Sequence, residues 1–179
     1  MIPRKEFYFV RHGQTDHNLR EGLDKWAHGE EVPLNATGKE QARTIEPLIA
    51  SLPIQTVVTS PMKRAQETKE IIAPRLKALH YDVEHLGECN ANIWKGLKEL
   101  KIDTPFPEEG EVYLFLEKVA KGLNHALSYP GPLLIVAHGG VHWATCFLMQ
   151  VEEYDWSLHN CGVVHFFVKE NGAWGAKRL

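Results

Sequence analysis

Cysteine is scarce. Cys89, Cys146 and Cys161 are all there are, an odd number, widely spaced and without a CxxC pair. A disulfide framework and a zinc knuckle are therefore poor explanations of this chain, and reduced thiols are expected. Long apolar runs are lacking as well. The longest near the N-terminus is Phe7 to Val10, too short for a signal h-region or a membrane span. Charge of one sign is not in excess: the formal net charge is −3, and no block of Lys or Arg stands out. Such a balance argues against a nucleic-acid or anionic-membrane surface. A soluble, cytoplasmic protein is expected. Nothing in the sequence sets an oligomeric state.

What is present is ordinary globular usage, 44% hydrophobic and 24% charged. A chain of 179 residues suits one domain, taken as 1–179, with a sizeable core. Histidine is the unusual count, at ten, and it raises the question of a metal.

The periodicity alternates strand with helix. EFYFVRH is aromatic and β-branched and predicts a buried strand. Residues 19–35 are expected as loop. From Thr37 to about Ser51, Ala42, Ile45, Leu48 and Ile49 fall on one helical face, with Pro47 expected to bend it. A strand follows over 54–60. Ser60-Pro61 has the pattern of an N-cap and first helical position, for a helix expected to reach Leu79. A short strand is expected over 81–85, irregular chain over 86–111 and a helix from Val112 to Leu127. LLIVAH, 133–138, predicts a fully buried strand, and Gly139-Gly140 opens a helix to about Gln150. Strand 162–168 is followed by Asn171-Gly172, a strong hairpin signal, so that Ala173 to Lys177 should pair back. The order implies an α/β fold: three layers, αβα, with a mostly parallel central sheet flanked by helices.

In such a sheet, ligands bind beyond the carboxyl ends of the strands. Three strands here end in polar residues of one character: Arg11-His12-Gly13, Ser60 with Arg64 one turn on, and His138-Gly139-Gly140 at a helix start. Together they would bring two arginines, two histidines and a helix N-terminus to one side. Guanidinium forks and free N–H groups suit a phosphate dianion. Gly13 is expected to let the backbone turn and approach a ligand.

Arg11-His12-Gly13-Gln14-Thr15 with Asn18 resembles the signature of the histidine phosphatase superfamily, the phosphoglycerate mutase-like proteins. Five further segments, in the same order, are similar: PLNATGKEQA (33–42), SPMKRAQET (60–68), LGECNANIWKGL (86–97), PEEGEVYLFLEKV (107–119) and VAHGG (136–140). The resemblance implies a phosphomonoesterase without metal or cofactor, acting on a phosphorylated small molecule. It implies that His12 is the nucleophile, that Arg11, Arg64 and His138 hold the phosphoryl oxygens, and that Glu88 is the general acid. Asn18 and the backbone N–H of Gly139 are candidate supporting donors. His12 must be neutral to attack, and two neighbouring arginines should depress its pKa. A hydrogen bond from its second nitrogen to a backbone carbonyl would fix the tautomer.

Alternatives remain at this level. The cofactor-dependent mutases that this chain resembles carry additional segments between the acid and the second His, which the stretch from Glu88 to His138 is too short to hold; the resemblance therefore implies an open site and hydrolysis rather than a phosphoglycerate-type mutase. A non-catalytic phosphate-binding protein would be expected to lack one of the site residues. His138 and His142 are four apart, as in zinc proteases, but two glycines follow His138 where a Glu would be required. His17, Trp26, His28 and His142 could border a substrate. Lys95 stands where the family usually has an acidic residue, and would place a cation near the leaving group.

Overall fold

The structure of the protein, a computed structural model, describes residues 2–19 and 31–179. Among these residues the order is β1 (Phe7–Arg11), α1 (Ala36–Ser51), β2 (Thr56–Thr59), α2 (Lys63–Ile72), β3 (Leu79–Asp82), α3 (Ala91–Glu99), α4 (Gly110–Ser128), β4 (Leu133–Ala137), α5 (Gly139–Leu148), β5 (Val163–Val168) and β6 (Trp174–Arg178). The six strands form one sheet in the order β3-β2-β4-β1-β5-β6. β3, β2, β4 and β1 run parallel, and β5 pairs antiparallel with both β1 and β6. The expected three-layer, mostly parallel αβα architecture is what the chain adopts.

The strands are apolar on both faces because both are covered. Phe7, Phe9, Leu133, Ile135 and Ala137 point to one side, where they pack with Leu116, Val119 and Leu123 of α4 and Val141 and Ala144 of α5. The alternate residues Val10, Val57, Leu134 and Val136 meet Ala42 and Ile49 of α1 and Ala65 and Ile72 of α2. This period-2 division of one strand between two cores makes the layers. No helix among the described residues is long and apolar enough to cross a membrane.

Several local expectations need correction. α2 ends at Ile72 rather than near Leu79. Pro74 explains the stop, because it has no N–H and disfavours helical backbone at Ala73. β3 consequently starts early, at Leu79. The segment expected to be irregular contains α3, whose start is capped by Asn90: its side chain accepts from the Ile93 N–H at 2.9 Å. Ser60-Pro61 does not open α2, which begins two residues later with Met62 at the cap position and no capping side chain. α1 runs through Pro47 as a single element. The hairpin at Asn171-Gly172 forms as expected, with Gly172 at φ 78°.

Candidate functional site

β1, β2 and β4 are parallel and adjacent, so their carboxyl ends open on the same edge. Arg11 closes β1 and His12 follows it. The His12 N–H still donates to Ala137 at 2.9 Å, which holds the residue against the end of β4. His138 follows Ala137 in the same way and occupies the cap position of α5. The two imidazoles are therefore neighbours, with ring centroids 5.1 Å apart. Both are almost wholly buried.

Their hydrogen bonds differ. His12 Nδ1 lies 2.7 Å from the Gly13 carbonyl. A carbonyl only accepts, so Nδ1 carries the proton and Nε2 is left with its lone pair. His138 Nε2 lies 2.7 Å from Ser60 Oγ, while its buried Nδ1 has no partner. Ser60 was expected as a helix cap; its hydroxyl instead meets His138, just past β4, and keeps only a long local contact with the Met62 N–H at 3.4 Å.

Gly13 is required for a reason other than the expected turn. A Cβ on it would lie 2.5 Å from the Gly38 carbonyl oxygen, and one on Gly38 would lie 2.0 Å from that of Gln14. The loop after β1 thus lies backbone to backbone on the first turn of α1. Thr68 of α2 ties the same loop down: its hydroxyl accepts from the Gly13 N–H at 3.0 Å and donates to the Arg64 carbonyl at 2.7 Å.

Arg64 lies in the first turn of α2, and its Nη2 approaches Met62 Sδ at 3.4 Å. Arg11 Nη1 donates to the Leu158 carbonyl at 2.5 Å, and its Nε is buried without a partner. Gly139 rests on this guanidinium: a Cβ there would stand 3.4 Å from Arg11 Nε. Glu88, in the loop before α3, lies against the start of α5. Its carboxylate accepts from the Gly140 N–H at 3.1 and 3.3 Å and from the Cys89 N–H at 3.0 Å. Only a glycine at 140 permits this, since a Cβ would come within 2.4 Å of Glu88 Oε1.

The electrostatics follow from this packing. Burial, then Arg64, then Arg11 hold the His12 pKa well below the ordinary histidine value. The arginines, expected as the cause, come second to burial. His138 is depressed in the same order, with His12 itself contributing. Both rings are neutral at neutral pH. Arg11 and Arg64 are lowered by burial, yet Glu88 favours their charged forms. Two guanidiniums, two neutral imidazoles and one carboxylate thus influence one another in a small volume.

Asn18 lies in a short 3-10 turn, Asp16–Leu19, with Oδ1 accepting from Thr15 and Asn160. Asn160 was not singled out in the sequence, and neither was Thr68. Thr68 had a readable signal, one helical turn from Arg64. Asn160 had none.

Beyond Glu88 lies a hollow of about 430 Å³ lined by Glu88, Cys89, Asn90, Ile93, Glu111, Leu114, Phe115 and Lys118. Lys118 Nζ donates to the Gly87 carbonyl at 3.1 Å. Lys95 does not line the hollow and is exposed on α3. His142 is buried in the core, bonded through Nδ1 to the Trp156 carbonyl at 3.1 Å, and burial pushes its pKa down to about 3. Trp26 and His28 lie outside the described residues, and His17 belongs to the turn of Asn18. Among the described residues, no group of three or more His, Cys, Asp or Glu is placed to hold a metal ion.

Comparison with known proteins gives this geometry a family. Residues 7–178 match the family described as "Histidine phosphatase superfamily (branch 1)". Agropine synthesis reductase of Rhizobium rhizogenes is 37% identical over 90% of the chain, which spans only 39% of that protein's length. A second reductase of the same name, 34% identical, is also spanned over 39% of its length. The Bacillus subtilis protein named as uncharacterized phosphatase PhoE is 31% identical over 73% of the chain and 69% of its own length. Among solved structures, phosphoserine phosphatase of Entamoeba histolytica in complex with 3-phosphoglyceric acid superposes with a TM-score of 0.68. It covers 96% of this chain and 94% of its own, at 20% identity, a likeness of fold. The chain that sets Arg11, His12, Arg64 and His138 around one strand edge belongs to the histidine phosphatase superfamily, branch 1.

Proposed function

We propose that this chain hydrolyses phosphomonoesters of small molecules through a phosphohistidine at His12. The observation that carries the reading is the state of that imidazole. It is neutral although two guanidiniums stand near it, and its Nδ1–H is committed to the Gly13 carbonyl, so that the free lone pair is on Nε2. A nucleophile toward phosphorus needs that tautomer.

The reaction has two transfers. His12 Nε2 forms a bond to phosphorus as the ester P–O bond breaks, and Glu88 gives its proton to the departing alkoxide. Water then attacks the phosphoryl group, Glu88 takes a proton from it, and the N–P bond breaks to release inorganic phosphate. Arg11 and Arg64 balance the charge on the non-bridging oxygens; catalysis of this kind is largely positioning and electrostatics. If Ser60 donates its hydroxyl to His138 Nε2, the proton of that ring is on Nδ1. This buried, unpartnered atom is then the donor for a phosphoryl oxygen. Asn18 and the Gly139 N–H are supporting donors. Neither metal nor cofactor is required in this scheme.

Three unpaired, buried thiols support a cytoplasmic location. The sheet draws strands from Phe7 to Arg178, which supports treating residues 1–179 as one functional unit. The reductase in the name of the longer relatives is not carried over. Guanidiniums and imidazoles grouped at a strand edge suit an anion.

The test is turnover of p-nitrophenyl phosphate in the presence of EDTA, by the wild type and by His12→Ala. Undiminished activity in EDTA and a loss on the order of 10⁴ or more in the variant are expected. Survival of turnover in His12→Ala removes the proposal. Bisphosphate-primed isomerisation of phosphoglycerate without phosphate release would replace it with the mutase reading.

A further inference from the structure

The loop before β5 grips the backbone of Arg11 and His12 through a second set of hydrogen bonds. Leu158 takes the Arg11 guanidinium on its carbonyl. Cys161, in left-handed backbone at φ 54°, donates its N–H to the carbonyls of Arg11 at 3.0 Å and His12 at 3.3 Å. Between them, Asn160 donates from Nδ2 to two acceptors, the His12 carbonyl at 3.0 Å and Asn18 Oδ1 at 3.2 Å. A primary amide carries two hydrogens on one uncharged nitrogen, so it can serve both acceptors at once.

The effect on Asn18 is specific. Its Oδ1 accepts from the Thr15 N–H at 2.9 Å, the Thr15 hydroxyl at 3.2 Å and Asn160 at 3.2 Å. Turning the Asn18 amide over would set its NH2 against the N–H donors of Thr15 and Asn160. The orientation is therefore fixed, with oxygen toward Thr15 and Asn160 and nitrogen turned away. Only the nitrogen end is of use to an anion.

We infer that Asn160 is a positioning residue: it locks the amide of Asn18 in the orientation that offers N–H to a phosphate oxygen, and it anchors the backbone of His12 beside it. This rests on the proposed phosphate chemistry. An aspartate at 160 keeps the shape but faces two acceptor oxygens, so it repels the His12 carbonyl and favours the flipped Asn18, whose oxygen then confronts the phosphate.

The experiment compares wild type, Asn160→Asp, Asn18→Ala and the double variant, by KM and kcat on p-nitrophenyl phosphate and by inhibition with inorganic phosphate. Each single variant should raise KM and the phosphate inhibition constant about tenfold or more, the scale of one hydrogen bond to a charged group, with a smaller change in kcat. The double variant should be no worse than the more impaired single one, because both remove the same Asn18 contact to phosphate. Additive losses, or an unchanged KM in Asn160→Asp, overturn the inference. If Asn160→Asp does not fold, the wild type decides: inorganic phosphate should shift the ¹⁵N side-chain amide resonances of Asn18, and an unmoved signal overturns it. A wild type that binds phosphate in that spectrum but turns nothing over would defeat the proposed hydrolysis while leaving the positioning role intact.

Discussion

The two walls of the candidate site differ in kind. The strand-edge wall is closed: His12 is 3% exposed and His138 and Ser60 are 0% exposed, each held by a bond to another segment. The wall beyond Glu88 is open. It borders a hollow of about 430 Å³, and Leu114 at its lip is 64% exposed. In the proposed reaction the phosphoryl group is the same tetrahedral anion in every ester, so a wall that would meet it can be rigid. The alcohol varies and water would have to enter, so a wall that would meet them is better left loose.

That contrast can be broken, and the largest effect is expected on the closed side. Arg64→Ala should lower kcat on the order of 10²–10³, on every ester alike, because it removes charge stabilisation of the shared group. Glu88→Gln should depend on the leaving group. An alkyl phosphate should lose about 10² in rate, whereas p-nitrophenyl phosphate, whose phenolate leaves without a proton, should lose far less. Equal losses on the two substrates would deny Glu88 the role of acid.

The closed wall and the core behind it should also fail in acid. His12, His138 and His142 are depressed in the folded state, the last to about 3, against about 6.5 in an unfolded chain. Below pH 6.5 the unfolded state binds more protons, so stability falls as the pH drops toward the folded values. Each such histidine costs about 1.4 kcal/mol per pH unit in that window. Melting temperatures at pH 7, 6 and 5 should fall progressively; a flat series would show that these rings are not held neutral. The smallest effect belongs to the open wall. Leu114→Ala should change stability by no more than about 0.5 kcal/mol and should alter KM only for esters of bulky apolar alcohols.

The strand-edge wall was legible in the sequence because each of its parts announces itself locally. An apolar strand ends, a basic or imidazole residue follows, and parallel pairing does the rest. The open wall was less so. α3 lay hidden in a segment rich in Asn and Gly, although Ile93 and Leu97 are one turn apart and Asn90 caps the start. Ser60 was misread for the opposite reason: its local signal was strong, but a buried imidazole 78 positions away took the hydroxyl. Asn160 lies 148 positions from the carbonyl it bonds. No spacing rule reaches that far, and only the sheet brings the two together.

The contact of Gly13 with Gly38 has a mechanical meaning. Where peptide planes touch with no side chains between them, nothing can yield by changing rotamer. α1 and the loop that carries His12 therefore keep a fixed spacing, and a side chain added at either glycine would have to displace backbone.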